Sequence, residues 1–119
     1  MKKDNVIYDK SFNFAIRIVN LFKHLKDEKK EFIISKQLIR SGTSIGANIS
    51  EAIEAQSKKD FISKLSISLK EANETKYWLN LLIATGYLDK KLGSSYLFDI
   101  NEIIKILVSI LKTSKRREN

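Results

Sequence analysis

No proline and no cysteine occur among the 119 residues, and glycine appears only four times. Without cysteine there is no disulfide framework and no thiolate metal site. Without proline, and with so few glycines, turn signals are sparse, as are alternating apolar and polar positions, so an all-α chain is predicted. No apolar stretch approaches the roughly 20 residues that span a bilayer. Lys2 and Lys3 are followed by no apolar run of signal-peptide length, so a cytoplasmic protein with no membrane contact is expected. The single histidine, His24, belongs to no Glu-x-x-His motif, and a di-iron bundle site needs two of them. Neither a metal nor another cofactor is expected.

What is present is apolar periodicity and positive charge. Apolar residues make up 43% of the chain, enough for one domain with its own core. Their spacing divides it into four helices, at about 9–27, 35–56, 58–85 and 90–113. The first carries two apolar stripes, Phe12, Ile16, Val19 and Phe22 on one and Phe14, Ile18, Leu21 and Leu25 on the other. Ser57 has the character of an N-cap, with Asp60 in the first turn of the third helix. Gly86 is a natural stop for the third helix. The tail from Lys112 onward reads as a frayed basic end. Short connections between long helices favour antiparallel neighbours, giving an up-down-up-down four-helix bundle.

Two helices are more apolar than one core requires. Between Leu97 and Leu111, ten of fifteen residues are apolar, and the first helix has its second stripe. A helix between core and water needs only one apolar stripe. The excess predicts self-association into a closed homo-oligomer.

The segment "RSGTSIGANISEA", Arg40 to Ala52, places two glycines inside a predicted helix, where each costs about 1 kcal/mol relative to alanine. No strand precedes it and no lysine follows the glycine, so it is not a phosphate-binding P-loop. Ser41 and Ser44 have no identifiable base to activate them. On a helix, Gly42, Gly46 and Ser50 form a smooth groove flanked by Ser41 and Ala47, which allows another helix to approach closely. Arg40, Ser44, Asn48 and Glu51 form a polar stripe on a neighbouring face. The third helix offers Lys64, Glu71 and Glu74, with Trp78 in the same register. A ladder between the two stripes is expected, with Arg40 paired to Glu71 or Glu74.

One catalytic alternative uses Arg17 and His24, two turns apart on the first helix. Some helical ribonucleases of the HEPN class carry such a pair, which could stabilise a phosphate and move a proton. The competing reading is two solvated residues on one helix face.

Twenty-two basic residues against fourteen acidic ones give a net charge of +8, which favours a polyanionic partner. In the up-down topology one end gathers Lys2, Lys3, Lys10, Lys58, Lys59, Lys112, Lys115, Arg116 and Arg117. The other gathers Lys23, Lys26, Lys29, Lys30, Lys36, Lys90 and Lys91, diluted by Asp27, Glu28, Glu31 and Asp89. The first end is therefore the predicted phosphate-binding surface, holding RNA or DNA by its backbone. Solvation and helix-dipole complementation are the ordinary roles for such lysines.

"QLIRSGTSIGANISEA" at Gln37 to Ala52, "DFISKLSISLKEANETKYWLNLL" at Asp60 to Leu82 and "SFNFAIRIVNLFKHL" at Ser11 to Leu25 resemble the four-helix-bundle proteins encoded in intervening sequences of bacterial 23S rRNA genes. The resemblance runs over roughly residues 9 to 112. It implies a non-enzymatic bundle assembled into a ring, typically a pentamer, with no catalytic residue. The accessory proteins of diversity-generating retroelements are similar in fold and are basic, ring-shaped partners of a reverse transcriptase that bind nucleic acid. A protein-interaction ring, docking a reverse transcriptase or a ribosome-associated partner, is therefore the alternative to a nucleic-acid binder. Many relatives carry proline where this chain has Gly46, so the resemblance implies a local difference in the second helix. Ser68 stands where alanine is frequent.

Overall fold

The computed structural model describes residues 5–118, and they form four antiparallel α-helices around one apolar core. Asn5 opens α1 (Val6–Asp27), its side-chain oxygen accepting from the Tyr8 amide at 3.2 Å. This cap starts the helix three residues earlier than periodicity alone suggests. Phe14, Ile18, Leu21 and Leu25 are the stripe of α1 that enters the core.

The turn to α2 (Ile34–Ile53) is organised by a residue the apolar pattern treats as mere interruption. Glu31 is buried, and its carboxylate accepts the amides of Ile33, Ile34 and Ser35 at 3.2, 3.0 and 2.7 Å. The Ser35 hydroxyl donates back to the Glu31 carbonyl at 2.7 Å. A carboxylate thus satisfies the free N–H groups of the helix start and meets the positive end of its dipole. Burial pushes the Glu31 pKa up, but these hydrogen bonds to its charged form outweigh it and hold the carboxyl below the ordinary 4.5.

The second helix ends at Ile53, three residues short of the predicted boundary, because Ser57 must turn extended to cap the third. Its hydroxyl accepts from the Asp60 amide at 3.0 Å and opens α3 (Lys58–Ala84). At the other end Gly86 takes a φ of +84°, while the Tyr87 amide reaches the Leu82 carbonyl and the Gly86 amide that of Ile83. This left-handed closure is the stop that the glycine foretells.

Asp89 caps α4 (Lys90–Glu118), accepting from the Leu92 amide at 2.8 Å. The fourth helix runs on through the tail predicted to fray. Leu111 and Ser114 are still buried there, so packing extends into the basic segment. Lys115, Arg116 and Arg117 also lie at the negative end of the helix dipole, which favours them.

α2 packs closely against both neighbours. A Cβ on Gly42 would lie 2.8 Å from Cγ2 of Ile18 on α1, a side chain with no exposed surface. A Cβ on Gly46 would lie 3.3 Å from the Ser11 hydroxyl of the same helix. The small residues are therefore where α1 and α2 cross closely. The helix continues unbroken through Gly46. Toward α3, hydroxyl groups join the two backbones. Ser68 donates to the Ile45 carbonyl at 2.9 Å, and the Thr75 and Ser41 hydroxyls meet at 2.9 Å in the core.

Candidate nucleic-acid interface

Helix order brings the start of α1, the end of α2, the start of α3 and the end of α4 to the same end of the bundle. Lys58, Lys59, Lys112, Lys115, Arg116 and Arg117 are all exposed. None of the six makes an ion pair among the described residues. Lys10 differs. It is only half exposed, and its amine lies 3.0 Å from Glu102 on the seam between α1 and α4. Lys2 and Lys3 lie outside the described residues.

Several carboxylates, by contrast, are paired within the molecule, while Asp9, Glu28 and Glu54 are exposed without a pair among the described residues. Glu102 holds Lys10, and Asp99 holds Arg17 at 2.5 Å. Glu71 lies 3.2 Å from Arg40, which also bonds Glu74, and Glu51 lies 2.8 Å from Lys64. At the opposite end Glu31 and Asp89 serve as caps, and Asp27 reaches Lys26 only at 4.0 Å. The excess of positive charge is therefore on the surface.

The ladder between α2 and α3 is made of its two ends. Arg40 bridges Glu71 and Glu74, and the Trp78 indole also donates to Glu74 at 3.0 Å. Glu51 and Lys64 close the other end, and the carboxylate raises the lysine pKa. The middle rungs do not cross. Ser44 donates to the Arg40 carbonyl and Asn48 to the Ser44 carbonyl, both within α2. Short side chains on a helix find their own carbonyls four residues back before they reach a neighbour.

Arg17 is anchored. Besides Asp99 it reaches the Ser95 hydroxyl at 3.1 Å, and its guanidinium lies 4.0 Å over the Tyr96 ring. Tyr96 in turn donates to the Arg17 carbonyl at 3.1 Å. Burial pushes the Tyr96 phenol up, and nearby Arg17 opposes it. His24 is exposed, two turns along the same helix. No side chain among the described residues forms a hydrogen bond or ion pair joining His24 to Arg17. Among the described residues no group of three potential metal ligands comes together.

Three contributions escape sequence reading. Glu31 looks like part of a charge run, and only the chain reversal before α2 makes it a cap. Ser68 looks like a polar stand-in for alanine, yet its hydroxyl crosses to α2 in the core. Asp99 and Glu102 lie among apolar residues of α4 with no sign that α1 supplies their cations. Their spacing of three residues, putting both on one helix face, was the available signal.

The architecture defines an all-α antiparallel bundle protein whose surface charge is strongly positive and whose helices are registered by ion pairs and hydroxyls. The family model of the 23S rRNA-intervening sequence protein matches residues 3–109, and the chain belongs to that family. It is also similar to a solved protein of unknown function from the S23 ribosomal protein family of Bacteroides thetaiotaomicron VPI-5482. The two share 60% identity over 89% of this chain and 98% of that one, with a TM-score of 0.88. A search of curated proteins gave no match.

Proposed function

We propose that the protein is a non-enzymatic, ring-like homo-oligomer that binds RNA or DNA through the charge of its surface. Five subunits is the number that family resemblance suggests, and a cytoplasmic setting suits a chain with no cysteine. The observation that carries the reading is the inequality of its charges. Asp99, Glu102, Glu71, Glu74 and Glu51 are paired within the bundle. Lys58, Lys59, Lys112, Lys115, Arg116 and Arg117, in contrast, are exposed at one end without ion-pair partners among the described residues and outnumber Asp9, Glu54 and Asp60 there. Cations that have no carboxylate to leave can neutralise phosphates at little cost, and a ring repeats them around an axis.

Self-association is supported by the outer row of α1. Phe12 and Ile16 are 54% and 48% exposed, and Tyr8 stacks against Phe12 with ring centroids 6.1 Å apart. Beside them a shallow groove of about 290 Å³ runs over Ala15, Gly46 and Ala47. An apolar shelf of this kind favours a second copy of the chain over water.

The test is fluorescence anisotropy with labelled RNA and DNA over a salt series, together with sedimentation. Replacing Lys112, Lys115, Arg116 and Arg117 with glutamine is expected to abolish binding and leave the oligomer intact. Unchanged binding refutes this site. The protein would then be read as a ring that docks a protein partner, such as a reverse transcriptase or a ribosome-associated protein.

A further inference from the structure

The outward face of α4 carries a row of cations around an exposed aromatic ring. Lys91, Phe98, Lys105 and Lys112 recur every seven residues, and Ser109 and Arg116 fall between and beyond them. At 3.6 residues per turn all six lie within about 60° of one another, opposite the buried positions Ile100, Ile103 and Leu107. All six are exposed, and Phe98 is 65% exposed, more than any other phenylalanine described. Between Lys91 and Arg117 the helix has two carboxylates, Asp99 and Glu102, and both are turned to α1 and paired with Arg17 and Lys10. Glu102 borders the face one turn from Phe98 but is held by Lys10 at 3.0 Å, so the cations along the row outnumber the one carboxylate beside it. Near its C-terminal half a shallow groove of about 290 Å³ follows Lys105, Ser109, Lys112 and Arg116.

A cationic track alone suits any phosphate backbone. An unpacked aromatic ring in line with it adds something that only unpaired bases can use, because a duplex hides the faces of its bases. From Phe98 to Arg116 the row is about 27 Å long at 1.5 Å per residue, long enough for several nucleotides. The geometry points to the outer face of α4 as a binding surface for single-stranded nucleic acid, with Phe98 stacking a base and Lys91, Lys105, Lys112 and Arg116 holding phosphates. This rests on the proposed nucleic-acid binding and moves its centre from the end of the bundle to the flank of one helix.

The test uses the full chain, a fluorescein-labelled single-stranded oligouridylate and an RNA duplex of equal length. Phe98→Ala removes no core contact and is expected to weaken single-strand binding about tenfold while leaving the duplex within about twofold, since one stacked base is typically worth that much. Lys91→Gln with Lys105→Gln is expected to weaken both probes and reduce the single-strand salt slope by about 1.4, the share of two phosphate contacts. Sedimentation of each variant should match the wild type. The inference is overturned if Phe98→Ala affects both probes equally or neither, or if it changes the oligomer, since Phe98 would then be a subunit contact. If Lys58→Gln, Lys59→Gln and Lys115→Gln together abolish binding while the α4-face variants bind normally, the site is the end of the bundle and only this inference falls. If wild-type protein binds neither probe, both readings fall.

Discussion

Gly42 and Gly46 share a helix and a spacing, yet the structure separates what a methyl group would do at each. Either alanine gains about 1 kcal/mol of helix propensity. At position 42 the new Cβ would stand 2.8 and 3.0 Å from the Cγ2 and Cγ1 atoms of Ile18. Those atoms branch directly from the Ile18 Cβ, and the residue has no exposed surface, so it cannot swing aside. Overpacking of this kind costs about 1–3 kcal/mol, leaving Gly42→Ala destabilised by about 1 kcal/mol net. At position 46 the nearest atom is the Ser11 hydroxyl at 3.3 Å, a contact that a few tenths of an ångström relieve. Gly46→Ala is therefore neutral or stabilised by up to about 1 kcal/mol. For a chain of this size a gap of about 1–2 kcal/mol between the variants is roughly 4–8 °C in Tm. Thermal melts followed by circular dichroism, at one fixed protomer concentration, measure it. Adding Ile18→Ala should recover about 1 kcal/mol of the Gly42→Ala penalty relative to additivity. If Gly42→Ala melts at or above Gly46→Ala, the close crossing of α1 and α2 is not what position 42 serves.

Glu31→Gln should cost about 1 kcal/mol, the usual worth of a helix cap, measured by urea unfolding. Because the folded carboxyl titrates below the ordinary 4.5, the wild-type advantage should be complete above that pH and vanish as pH falls through the lowered value. A gap that persists at lower pH would mean that the charge is not what caps α2. Thr75→Val leaves the buried Ser41 hydroxyl without its interhelical partner, and a loss of about 1–2 kcal/mol in the same assay is expected. Arg40→Gln, by contrast, should cost no more than about 1 kcal/mol, because the guanidinium is 49% exposed and its pairs are screened. A loss beyond about 2 kcal/mol would show that this bridge carries the register alone.

Helix number and type were legible in the sequence because apolar spacing and caps are local. Ser57 and Gly86 punctuate the chain through their own chemistry, and neither depends on what packs nearby. Arg40 could be matched with Glu71 and Glu74 from periodicity, since facing stripes in an antiparallel pair leave few partners. Boundaries were less legible where a cap comes from outside the periodic run, as with Asn5, or where packing continues into polar sequence, as at Leu111 and Ser114. The candidate interface was read in part. Charge count and topology gathered the basic end, but a count cannot tell Lys10, held by Glu102, from Lys112, which is exposed.

The sequence by itself determined an all-α bundle, its excess of positive charge and the two extra apolar stripes, because each follows from composition or from the 3.6-residue period. Tertiary structure alone decided how that charge is distributed. Packing α4 against α1 paired Asp99 and Glu102 with Arg17 and Lys10, and so left Lys91, Lys105 and Lys112 beside Phe98 without ion-pair partners among the described residues. Which charges cancel depends on which helices meet, and that is a property of the fold.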